Sequence, residues 1–165
     1  MSDIENNIID MPVPESEIGN IDLSSTRKKR FTIDGDPNRI LELNTSDLTI
    51  VNRLEEVYPH LLDLSRKAMS QLPDDVDVTT QDGLRTLSEV LNDIDAEMRG
   101  NLDYIFDSNV SQVCAPSGSM YDPFDGKFRF EHIIEKLSDE YENNMKKEYR
   151  RISAKVQKHT SKYVK

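Results

Sequence analysis

The stretch FRFEHIIEKLSDEYENNMKKEYRRISAKV, residues 128–156, decides how this chain is built. Phe130, Ile133, Ile134, Leu137, Tyr141, Met145, Tyr149, Ile152 and Val156 recur every three or four residues, the spacing of one helix face. The pattern predicts a helix over about 128–160. At 1.5 Å per residue, some thirty residues extend about 45 Å, more than the width of a domain this size. The C-terminal half is therefore expected to project. Because the apolar stripe runs on through that half, its residues should bury against something outside the monomer. The partner-binding set read from this argument is Phe130, Ile134, Leu137, Tyr141, Met145, Tyr149, Ile152 and Val156, with Arg150, Arg151 and Lys155 beside them.

Charge reverses within the same helix. Residues 146–165 hold eight Lys and Arg against the single acid Glu148, a local charge of +7. The whole chain carries −10, which leaves −17 on residues 1–145. Basic side chains near a helix C-terminus complement the macrodipole, and that explains part of the pattern without any function. A nucleic-acid arm is disfavoured by the acidity of the chain, whose pI is about 4.8. Pairing with an acidic surface, including one on another copy of the chain, is the third reading.

Upstream of this helix the order of elements is mixed. Residues 1–27 contain six acids and no base before Arg27, with Pro12, Pro14 and Gly19 interrupting any period, so they read as an acidic disordered arm. Residues 28–165 read as a single mostly helical domain. Arg30–Ile33 and Arg39–Leu43 alternate like strands around Asp34-Gly35-Asp36-Pro37-Asn38, which predicts a hairpin with a five-residue loop. Asn44–Asp47 offers a helix cap, followed by Leu48, Val51, Leu54 and Val57 or Tyr58 at helical spacing. Tyr58-Pro59 predicts a break, then a short second helix with Leu61, Leu62, Leu64 and Ala68 that ends at Gln71–Asp75. A longer helix is expected from Thr80 to Asp107 along Leu84, Leu87, Leu91, Ile94, Met98, Leu102 and Ile105, weakened near its ends by Gly83 and Gly100. Residues 110–126 read as a loop, functional or partly mobile. The fold class is α+β, mostly α: an N-terminal β-hairpin packed on a small helical bundle with a long C-terminal helix.

The residues also exclude several chemistries. His60, His132 and His159 lie in separate elements without a second ligand at metal-binding spacing, so no metal site is expected. Asp34, Asp36 and Asn38 begin like a calcium loop, but Arg39 stands where such a loop needs glycine, and the segment reads as a turn. No phosphate loop, nucleophile elbow or dinucleotide fingerprint is present. No enzymatic activity, cofactor or small-molecule substrate is expected. The lone Cys114 reads as a small buried side chain. The start lacks a basic, apolar leader and no apolar run reaches membrane length, so a soluble protein of a reducing cytoplasm is expected.

The layout of a hairpin feeding a capped helix over Arg30–Tyr58, more helices, then a long helix from Phe128 to Lys158-His-Thr-Ser-Lys-Tyr resembles a known family. It is similar to the small tail assembly chaperones of long-tailed bacteriophages, over most of residues 28–165. The acidic arm and the Cys114–Gly126 segment depart from the smallest members. The resemblance implies a non-enzymatic role in the host cell cytoplasm: binding and solubilising the tape measure protein, and helping to recruit the tail tube protein. Self-association is expected, and neither nucleic acid nor membrane is an expected partner. The alternative is a structural virion protein of the tail or head-tail connector, which the dipolar charge would suit through packing between copies.

Overall fold

A computed structural model describes residues 17–23, 28–70, 77 and 79–160. The arm expected over residues 1–27 falls outside this description except for 17–23, whose Ile18, Ile21 and Leu23 are exposed. The helix end expected at Gln71–Asp75 also lies outside the described residues. The architecture is α+β and mostly helical, with an N-terminal hairpin and a long C-terminal helix.

Strand β1 (Lys29–Ile33) pairs antiparallel with β2 (Asp36–Leu43), Phe31 facing Leu41. The five-residue loop is corrected to a two-residue turn. Asp34 and Gly35 both take positive φ, 54° and 71°, the combination a tight hairpin turn requires. The register then slips between Thr32 and Ile33, so Pro37 and Asn38 lie in an irregular part of β2 where a missing backbone donor costs little. Leu41 and Leu43 point into the core.

Helix α1 (Ile50–Ser70) is one helix, not two. Pro59 sits within it on the exposed side, and Glu55, whose carbonyl the proline deprives of its helical donor, is an exposed residue as well. The expected stripe is also rotated. Ile50, Val57, Leu61, Leu64 and Ala68 are buried, while Leu48 and Val51 are exposed. Packing of the whole helix against its neighbours outweighs the local proline signal.

Helix α2 (Gln81–Phe106) agrees closely with its expected span. The Thr80 hydroxyl oxygen accepts the Gly83 N–H at 3.1 Å, and Asp107 ends the helix in a left-handed conformation. Ile94, Met98, Leu102, Ile105 and Phe106 are buried, whereas Leu84 near the start is exposed.

Residues 110–126 are not a plain loop. They form the short helix α3 (Val110–Cys114), then β3 (Pro123–Phe124) paired with β4 (Lys127–Phe128) around an Asp125-Gly126 turn of positive φ. Guanidinium groups order the segment by satisfying its carbonyls. Arg99, paired with Asp95 at 2.7 Å, donates to the carbonyls of Ser111, Ala115 and Gly118 at 3.1, 2.8 and 2.8 Å. Arg39 donates to those of Val113 and Cys114 at 3.0 and 2.9 Å. Asp95 also accepts the Met120 N–H at 2.7 Å.

Helix α4 (Arg129–Thr160) is 32 residues long. Phe130, Ile134, Leu137, Tyr141 and Asn144 are its buried residues, and Met145 packs half-buried at the edge of the core. Past Asn144 no described residue of α4 is buried.

Candidate functional site

The residues proposed for partner contact divide into two groups along α4. Phe130, Ile134, Leu137 and Tyr141 belong to the chain's own interior. Phe130 lies edge-on to Tyr58 at 5.9 Å and Tyr141 tilts against Phe106 at 6.0 Å. Burial pushes the Tyr141 phenol up to about 12, with the nearby Asp47 carboxylate adding to the effect. These four are removed from the accessible contact set, because reaching them would require opening the core. Their spacing marked a buried helix face, and spacing alone does not say which partner covers it.

The outer half is different. Tyr149, Ile152 and Val156 are 72%, 59% and 58% exposed on one face. Arg150, Arg151 and Lys155 are exposed beside them. Lys146 pairs with Glu142 at 2.6 Å and Arg151 with Glu148 at 3.0 Å, both within the helix. The Lys146 hydrogen bond and charge hold the Glu142 carboxyl below its ordinary value. Such exposed pairs are weak and readily exchanged for a partner's charges. The inner arginines behave otherwise: Arg53 donates to the Ile105 carbonyl at 2.8 Å and to Asp47 at 2.7 Å, leaving little capacity for a ligand.

Asn144 separates the two halves, and the apolar periodicity does not single it out. Its amide donates to the Thr45 carbonyl and the Ser46 hydroxyl oxygen, both at 3.2 Å, and its carbonyl accepts from the Lys29 ammonium. Its spacing of three residues from Tyr141 and seven from Leu137, on the stripe's own face, is the available signal.

A groove of about 640 Å³ lies between the β1–β2 turn, the β3–β4 hairpin and α4. Ile33, Phe124, Ile133 and Leu137 supply its apolar lining, with Arg129 and His132 among its polar groups. Those polar groups serve the fold. Arg129 donates to the Ser117 carbonyl at 2.6 Å, and a His132 ring nitrogen lies 2.7 Å from the Phe124 carbonyl. Cys114 also lines the groove; burial outweighs the nearby Arg39 charge and pushes its thiol up to about 11, so it is protonated and a poor nucleophile at neutral pH. Among the described residues no group of three or more His, Cys, Asp or Glu is placed to hold a metal ion, and no helix is long and apolar enough to cross a membrane. Comparison with protein-family models, curated proteins and solved structures finds no match to this chain.

Proposed function

We propose that this protein is a non-enzymatic tail assembly chaperone of a long-tailed bacteriophage. It binds the tape measure protein, keeps it soluble in the host cytoplasm, and helps bring tail tube subunits to it. The observation that carries this reading is the exposed Tyr149–Ile152–Val156 face within a segment of charge +7. A helix face of this kind recognises a partner helix or groove through apolar anchors, while its charges set orientation and encounter rate. The net charge of −10 supports solubility of a complex with a long apolar partner. The layout that resembles the tail assembly chaperones supports the same role.

Co-expression with the tape measure protein of the same phage tests it. The tape measure should move to the soluble fraction with this protein present and return to the pellet with Ile152→Asp. Equal insolubility with and without the protein would remove the proposal.

The separation of −17 from +7 along one chain favours a second reading, a structural subunit of the tail or head-tail connector. Mass spectrometry of purified particles decides between them, since a chaperone leaves the finished virion and a structural subunit remains in it.

A further inference from the structure

Helix α1 carries a second apolar face that the core does not use. Leu48, in the turn leading into the helix, and Val51 within it stand 66% and 58% exposed, one turn apart. Glu55 follows one turn further along the same side, exposed and without an ion pair among the described residues. This face and the outer half of α4 lie at the same end of the molecule. The Asn144 side chain touches Thr45 and Ser46, three and two residues before Leu48, and α4 leaves the core directly after it. Both faces are exposed, so neither covers the other within one chain.

We infer that two copies of this chain pair about a two-fold axis, the outer half of α4 in each lying on the Leu48–Val51 face of the other. From Asn144 to Val156 the helix advances about 18 Å, enough to cross the roughly 10 Å from Leu48 to Glu55. The charges are complementary. Tyr149 and Ile152 are bordered by Arg150 and Lys155, which make no ion pair among the described residues, and Leu48 and Val51 are followed by Glu55 and Glu56. Pairing the two α4 ends with each other would instead set two segments of charge +7 side by side. Because each copy presents both faces at one end, the contact is reciprocal and closes at two copies without propagating into a filament.

This inference rests on reading the outer half of α4 as a protein-docking surface, and the test separates the two. Sedimentation velocity of the full chain should give twice the 19.0 kDa monomer mass, with the dimer weakening as salt rises. Val51→Asp and Ile152→Asp should each weaken it by roughly tenfold or more while leaving the helical circular dichroism unchanged, since both positions are exposed. In a Cys114→Ser background, Val51→Cys combined with Ile152→Cys should oxidise to a dimer in which peptide mapping joins position 51 of one copy to 152 of the other. A monomeric wild type, or a dimer indifferent to Val51→Asp, overturns the inference. If that monomeric wild type still solubilises the tape measure protein, the chaperone reading stands without the dimer. If the dimer forms as described and the tape measure stays insoluble, the pairing stands and the chaperone reading falls.

Discussion

A Cβ at Gly83 would stand 2.1 Å from the Asp77 carbonyl oxygen, whereas one at Gly100 would meet nothing within 4 Å. Both glycines lie in α2, and helix propensity alone treats them alike. The close approach of residue 77 reverses the sign at one of them. Gly100→Ala is expected to stabilise the fold by about 0.5–1 kcal/mol, and Gly83→Ala to destabilise it by at least as much, both measured by urea unfolding. Cys114 provides a pH-dependent counterpart. Burial raises its thiol from 9.0 to about 11, so the folded chain holds the proton longer than the unfolded one. Stability from this group is therefore complete below the unfolded pKa and is lost as pH rises from about 9 through about 11. Urea unfolding across this range should show a shallower loss in Cys114→Ala than in wild type.

At the scale of elements, Asn144 shows why α4 leaves the core where it does. Its amide and carbonyl tie the helix to Lys29, Thr45 and Ser46, and the helix then continues without a buried residue among those described. Asn144→Ala should cost about 1–3 kcal/mol, because the buried Thr45 carbonyl loses its donor, whereas Asn143→Ala on the exposed side should lie within about 0.5 kcal/mol of wild type. Thermal melts of the two variants check this. Helices α2 and α4 were legible in the sequence because long runs of period three to four admit only one secondary structure. α1 was half legible: Leu48 and Val51 have the right spacing, yet the buried stripe begins at Ile50, and tertiary packing carries the helix through Pro59. The Asp34-Gly35 and Asp125-Gly126 turns are readable from those dipeptides, although the sequence reading places both inside longer loops. The order of residues 110–122 was not readable. It depends on Arg39 and Arg99 reaching carbonyls up to 75 positions away, and no local window holds that information. Of the candidate surface, the exposed end of α4 follows from a stripe longer than a domain can cover. The Leu48–Val51 face surfaced only because an expected core stripe lies outside the core.

At the scale of the whole molecule, burial and charge divide at the same point. Every described buried residue lies at or before Asn144, and the basic segment begins two residues later at Lys146. Folding energy therefore comes from the acidic part, while the basic part is carried outside the core. At a protein concentration where the full chain is monomeric, truncation after Met145 should leave a folded chain whose thermal midpoint moves by less than about 4 °C near physiological salt, since among the described residues it removes no buried apolar side chain. The same truncation takes the net charge from −10 to −17. Self-repulsion should then make the midpoint rise more steeply between low salt and about 0.3 M salt than it does in the full chain, as screening shortens the range of the repulsion. Circular dichroism melts at the two ionic strengths measure both quantities. A truncated chain that loses its cooperative transition at either salt would mean that residues 146–165 contribute to the core, and that their exposure is not the basis of a docking surface.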